Sequence, residues 1–169
     1  IHHSKNESTS ENTMKQEKAT FGAGCFWKPQ FVFSKILGVE KTEVGYMGGT
    51  TENPTYEEIC SDETNHAEVV QIIFDPKKVS YKKLLKNFWE IHNPTQLNKQ
   101  GPDFGKQYRS IIFYHTEKQK TEAENSKKEI QKEYTEPIVT EIEKSMRFYK
   151  AEEYHQNYLQ KNKMQSCGI

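Results

Sequence analysis

An α+β layered domain, with helices packed on one small sheet, is what the sequence predicts. Short runs with apolar residues at every second position alternate along the chain with stretches at helical spacing. At 169 residues the chain is long enough for one real core and short for two. Nine Tyr, nine Phe and two Trp supply bulky core material in a chain whose mean hydropathy is only −0.97.

Residues 1–17 hold no apolar run and read as a polar tail or linker, ahead of a single domain over 18–169. KATFGAG is a short strand that feeds a turn. FWKPQFVFSKILG is predicted as a helix, with Val32, Phe33, Ile36 and Leu37 at helical spacing and Gly38 as its stop. VEKTEVGYMGG is a strand closed by glycines, and NPTYEEICS a turn followed by about one turn of helix. In HAEVVQIIFDP a period of two places Glu68, Val70, Ile72 and Phe74 on one face, with Val69 and Ile73 on the other. SYKKLLKNFWEI is an amphipathic helix with Tyr81, Leu84, Leu85 and Phe88 together. HNPTQLNKQGPDFGKQ is a loop of a length that usually serves a function. YRSIIFYH is a further strand, after which Thr116 and Gln119 form a capping box that opens a long charged helix. PIVTEIEK is the last strand and KAEEYHQNYLQKN the last helix, followed by a mobile tail over 161–169.

Lys plus Arg and Asp plus Glu both count 24, so no basic excess calls for a nucleic acid or an acidic membrane surface. No apolar stretch approaches the ~20 residues of a membrane span. Three cysteines, Cys25, Cys60 and Cys167, are too few and too odd for a disulfide scaffold; one exchangeable pair plus a spare thiol fits better. The fragment His66–Ala67–Glu68 matches half of a zinc deaminase signature, but the P-C-x-x-C half is missing, and no metal is expected.

FGAGCFWKPQF holds the most informative cysteine. Proline lacks an N–H and clashes with the carbonyl four residues back, so Pro29 belongs in the first turn of a helix. The helix then starts at about Cys25 or Phe26, and Cys25 sits at the positive end of its dipole, where a thiolate is favoured. Gly22 and Gly24 permit the tight strand-to-helix turn. An isolated cysteine is most often a small buried hydrophobe; this placement favours a nucleophile. Glu68 opens an apolar strand in a position expected to be dry, where burial raises a carboxyl pKa toward proton donation at neutral pH. A solvated acid at a strand end fits the same pattern. Tyr56 and Tyr108 flank irregular segments and can bind a polar oxygen, although each alone also fits a core aromatic. Asp103 in GPDFG reads as a turn residue.

Taken together and in order, GCFW, GYMGG, PTYEEICS, HAE, FWEIHNPTQLNKQG, GKQYRS and FYKAEEYHQNYL resemble the peptide-methionine sulfoxide reductase A family, from about Lys18 onward. The resemblance implies a two-layer α/β sandwich with a small mixed sheet, a ferredoxin-like core and long coil segments. It implies that Cys25 attacks the sulfoxide sulfur and becomes a sulfenic acid, with Glu68 supplying the proton. Tyr56 and Tyr108 match the phenols that bind the oxygen, and Phe26 and Trp27 the wall of a methyl pocket that selects the S epimer. Asp103 matches an acid that positions substrate or a water, with Pro102 where asparagine is expected. His155 matches the histidine of the FYKAEEYHQNYL segment. SCGI resembles the family's Cys-Gly-Ile element and makes Cys167 the resolving cysteine, so that thioredoxin reduces a Cys25–Cys167 disulfide directly. Cys60 is implied as a packed spare thiol and a backup resolver.

No cofactor beyond that external reductant is expected, and neither is an oligomer. The compartment expected is the cytoplasm, with an exported stalk as the other reading of residues 1–17. Two rival readings are a cysteine hydrolase using Cys25 and His155, and a non-catalytic domain that binds peptide side chains through Phe26 and Trp27.

Overall fold

The computed structural model describes residues 16–61 and 63–162. Six strands form one mixed sheet: β1 (Glu17–Gly22), β2 (Val39–Met47), β3 (Ala67–Phe74), β6 (Ile111–Tyr114), β7 (Glu141–Lys144) and β8 (Tyr149–Lys150). A separate ribbon pairs β4 (Lys99–Gln100) with β5 (Asp103–Phe104). The helices are α1 (Trp27–Ser34), α2 (Tyr56–Cys60), α3 (Tyr81–Glu90), α4 (Glu117–Gln131) and α5 (Tyr158–Lys161). The run β1, α1, β2, β3, α3, β6 is a βαββαβ unit whose strands lie in the order β6-β1-β3-β2, the expected ferredoxin-like core. β7 extends one edge in parallel and β8 the other in antiparallel fashion.

Alternation along the strands gives the sheet two covered faces. One face carries Phe21, Val70, Ile72 and Phe74 against α1 and α3, and Leu84, Leu85 and Phe88 of α3 are buried there as the periodicity predicts. Phe21 stacks on Phe33, Tyr81 and Phe88, with ring centroids 5.5, 6.0 and 5.0 Å away, and so ties β1 to both helices. Met47, Ala67, Val69, Ile111 and Phe113 form a smaller cluster on the other face, with Phe148 packed against it. β1 lies inside the sheet with β3 on one side and β6 on the other, which brings Gly22, the start of β6 and the Glu68 end of β3 to one edge.

Several local expectations need correction. α1 ends at Ser34: the Lys35 and Ile36 N–H groups turn back to the Val32 and Phe33 carbonyls, three residues behind, and tighten the last turn. Leu37 is consequently 84% exposed in the turn before β2. The predicted capping box on α4 is half formed. Thr116 accepts the Gln119 N–H, but the Gln119 amide reaches His115 N–H and the Lys18 carbonyl instead, pinning α4 to β1. The last predicted helix is broken. A 3₁₀ turn, Glu153–His155, precedes Gln156, whose amide binds the Val44 N–H and C=O as a neighbouring strand would, and Asn157 adopts φ +56 before α5. Lys161 closes α5; of the expected tail over 161–169, residues 163–169, Cys167 included, lie outside the described residues. No helix among the described residues is long and apolar enough to cross a membrane.

The contrast between Leu84 and Leu37 is measurable by urea unfolding. Leu84, fully buried, should cost about 2–5 kcal/mol on Leu84→Ala. Leu37→Ala should stay within about 0.5 kcal/mol of the parent.

Candidate active site

The turn after β1 is built for a close approach. Gly24 has φ +83, and a Cβ there would sit 2.8 Å from Gln100 Cγ on the β4–β5 ribbon. α1 begins at Trp27, with Phe26 as its N-cap and Pro29 in its first turn, one residue after the later of the two predicted starts. Cys25 therefore precedes the helix by two residues. Cys25 is disulfide-bonded, whereas Cys60 is an exposed free thiol.

The Phe26 N–H, which no helical carbonyl can reach, is taken by Glu68 Oε1 at 3.2 Å. Glu68 is 1% exposed, in the dry strand-start position its pattern suggests, and its Oε2 has no hydrogen-bond partner. Burial pushes its pKa up to about 8; the Phe26 N–H opposes that rise and the nearby Asp103 charge adds to it. At neutral pH Glu68 is thus a protonated acid with one oxygen uncommitted.

Tyr56 opens α2, where Thr55 and Glu58 form a full capping box, and Tyr108 closes the 3₁₀ turn Lys106–Tyr108. Burial chiefly raises both phenol pKa values, so both remain O–H donors. The Cys60 side chain adds to the rise for Tyr56, and the Asp103 charge adds to it for Tyr108. Asp103, half-buried on β5, has its own pKa raised by burial. Cys25, Lys28, Ile91, Gln100 and Asp103 line one cavity of about 80 Å³. A larger cavity of about 560 Å³ between α3 and α4, beside Trp89 and Glu129, contains none of these predicted residues.

Phe26 and Trp27 meet the segment that follows β8. Phe26 packs 5.7 Å from the Tyr46 ring and 5.3 Å from His155. Trp27 stacks on Tyr158 at 3.8 Å, and its indole N–H donates to His155 Nδ1 at 3.1 Å. An indole N–H only donates, so Nδ1 accepts and the imidazole hydrogen lies on Nε2, a buried atom without a partner. Burial lowers the His155 pKa and keeps the ring neutral, against the opposing charge of Glu152. With one nitrogen bonded to Trp27 and the other protonated, His155 braces the wall and is unsuited to be the base of a cysteine hydrolase.

Two further side chains position these groups and escaped the sequence reading. Glu152 accepts the Tyr46 hydroxyl at 3.3 Å and the Tyr56 N–H at 3.1 Å, fixing the start of α2. Arg109 donates to the Lys106 and Asn65 carbonyls at 2.9 and 3.1 Å and lies 3.4 Å from Glu141, so it holds the Tyr108 turn to the entry of β3. Their partners are distant in sequence, and only their adjacency to His155 and Tyr108 hints at them. His66 accepts the Gly49 N–H at 2.9 Å through Nδ1, and its Nε2 lies 2.7 Å from the Thr51 carbonyl. The metal-like fragment is a loop staple.

The buried acid sets a pH signature on stability. Its pKa is about 8 folded against an ordinary 4.5, so between these values the unfolded chain has lost a proton that the folded chain keeps. Rising pH then favours unfolding. Measured by urea titration, the stability of the parent relative to Glu68→Gln should fall between pH about 4.5 and 8 and level off above that.

Comparisons with known proteins point to one family. The family model described as peptide methionine sulfoxide reductase matches residues 17–169. A peptide methionine sulfoxide reductase MsrA from Geobacter metallireducens is 54% identical over 163 residues, covering 94% of this chain and 99% of its own length. Among solved structures, Mxr1 from Saccharomyces cerevisiae in reduced form superposes with a TM-score of 0.87 at 37% identity, covering 91% of this chain and 90% of its own. Mxr1 in complex with Trx2 has a TM-score of 0.62 at 26% identity, covering 86% of each chain. The chain belongs to the peptide methionine sulfoxide reductase family.

Proposed function

We propose that the protein is an oxidoreductase that reduces (S)-methionine sulfoxide, free or in proteins, to methionine, using Cys25 as nucleophile and an external dithiol as reductant. The observation that carries this reading is the Glu68 carboxyl: buried, protonated at neutral pH, bonded to the residue after Cys25 and left with one unpartnered oxygen. A sulfoxide is a poor electrophile until its oxygen is protonated. Glu68 donates that proton while Tyr56 and Tyr108 hydrogen-bond the oxygen. The Cys25 thiolate attacks the sulfur, the S–O bond breaks, the oxygen passes to Cys25 as a sulfenic acid, and methionine leaves. Phe26 and Trp27 enclose the S-methyl group, Asp103 positions the substrate, and His155 holds Trp27 in place.

The Cys167 thiolate then displaces hydroxide from the Cys25 sulfenic acid, giving a disulfide and, with a proton, water. The oxidised state of Cys25 and the free thiol of Cys60 support a partner other than Cys60. Thioredoxin reduces that disulfide, a reading supported by the complex of Mxr1 with Trx2. Residues 18–169 make up one domain in this reading, and no bound cofactor takes part.

A dithiothreitol-driven assay on the separate epimers tests the assignment. The S epimer should be consumed and the R epimer left. Cys25→Ser should abolish turnover, and Glu68→Gln should slow methionine release in a single turnover by about 100-fold or more. Consumption of the R epimer, or activity in Cys25→Ser, contradicts the mechanism. Cys167→Ser should still release one methionine per enzyme yet lose thioredoxin-dependent turnover; unchanged turnover would move the resolving role to Cys60.

A further inference from the structure

Ser110 stands where the chain passes from the turn that carries Tyr108 into β6, and it is buried. Its hydroxyl lies 2.7 Å from His92 Nε2 and 2.7 Å from the Oγ1 of the equally buried Thr140. His92 Nδ1 in turn lies 2.7 Å from the Phe88 carbonyl, one of those the last turn of α3 leaves without a helical partner. What each atom can do sets the direction of these bonds. A carbonyl only accepts, so Nδ1 carries the imidazole hydrogen. Burial chiefly pushes the His92 pKa down to about 4, with the bond to Phe88 opposing and the Lys28 charge assisting. The ring is therefore neutral and Nε2 accepts. The Ser110 hydroxyl donates to His92, and Thr140 donates to Ser110. One directed chain of hydrogen bonds runs from Thr140 through Ser110 and His92 to Phe88.

The chain ties the Tyr108 turn to the core at the place where the Cys25 turn begins. Phe88 stacks on Phe21 of β1 at 5.0 Å. Ile111, the residue after Ser110, pairs with Gly22, from which β1 turns toward Cys25. The Ser110 carbonyl accepts the Glu141 N–H at 3.1 Å, so its side chain and its main chain are both engaged. Arg109 grips the same turn from the solvent side, through the Lys106 and Asn65 carbonyls. Ser110 holds it from within. A reacting group misplaced by about 1 Å can cost ~100-fold in rate, so a two-sided anchor next to Tyr108 bears on chemistry as well as on stability.

We propose that His92 is a positioning residue for the reduction, acting through Ser110 to set the Tyr108 hydroxyl relative to Cys25. In this role His92 and Ser110 work through the phenol and make no bond to the substrate. The inference rests on the reductase reading above, in which Tyr108 binds the sulfoxide oxygen.

A double-mutant cycle with Tyr108→Phe tests it, read as single-turnover release of N-acetyl-methionine from its S-sulfoxide by the pre-reduced protein. Tyr108→Phe alone should slow release by about tenfold or more. Ser110→Ala should slow it by about tenfold, and so should His92→Phe, which keeps most of the ring volume. In the Tyr108→Phe background either change should cost less than about twofold, because the hydroxyl it positions is gone. Alkylation of Cys25 by iodoacetamide, followed on its own peptide by mass spectrometry, should keep its rate and pH profile throughout. Thr140→Val, close in shape and at the far end of the chain, should show the same coupling at about threefold and replaces Ser110→Ala if that variant does not fold. Three results overturn the positioning role and leave the reductase reading standing: equal losses with and without the phenol, parent-like rates in both Ser110→Ala and His92→Phe, or alkylation slowed in step with reduction. A parent-like rate in Tyr108→Phe removes the phenol's role and this inference together. No release by the parent overturns the reductase reading itself.

Discussion

One hydrogen bond organises the site: Phe26 N–H to Glu68 Oε1 at 3.2 Å. A helix start leaves N–H groups without partners, and a buried acid needs a donor, so each answers the other's deficit. The bond also sets position, because it joins the turn that carries Cys25 to the strand that carries Glu68. The order β6-β1-β3 makes this possible by placing the end of β1 beside the beginning of β3. With Oε1 engaged, only Oε2 is free to act on a ligand. The same carboxyl stays protonated because burial outweighs that single donor.

A second layer of contacts keeps the surrounding groups in place through the backbone and through aromatic packing. Glu152 and Arg109 bind main-chain atoms next to Tyr56 and Tyr108, so the phenols are positioned by the turns that carry them. The aromatic wall is fixed differently, by the Trp27–Tyr158 stack and the Trp27–His155 hydrogen bond. Gln30 adds to this, accepting the Asn157 N–H at 2.7 Å while donating to Thr42. α1 thus carries the wall residues and also anchors the segment that completes it.

Most of the framework was legible because its causes are local. Periodicity placed β3 and the buried face of α3, and Gly24 with Pro29 located the Cys25 turn to within a residue. Glu68 could be recognised as dry from its neighbours in the strand, but its bond to Phe26 spans 42 residues and left no local trace. Leu37 shows the opposite failure: helical spacing ran on past Ser34, whereas three-residue hydrogen bonds had already ended the helix. The break at Gln156 and Asn157 was hidden for a similar reason. It depends on a side chain that substitutes for a strand at the edge of β2, a contact 112 residues away. Roles for the phenols came from the family resemblance, since a tyrosine beside a loop has too many ordinary uses.

The bond between Trp27 and His155 joins residues 128 positions apart. Protein synthesis runs from the N-terminus at about 5–20 residues per second. The cysteine therefore leaves the ribosome on the order of ten seconds before the histidine that braces its neighbouring tryptophan. Throughout that interval Cys25 exists without its finished aromatic surroundings, and the contact between Trp27 and His155 is among the last that the nascent chain can make.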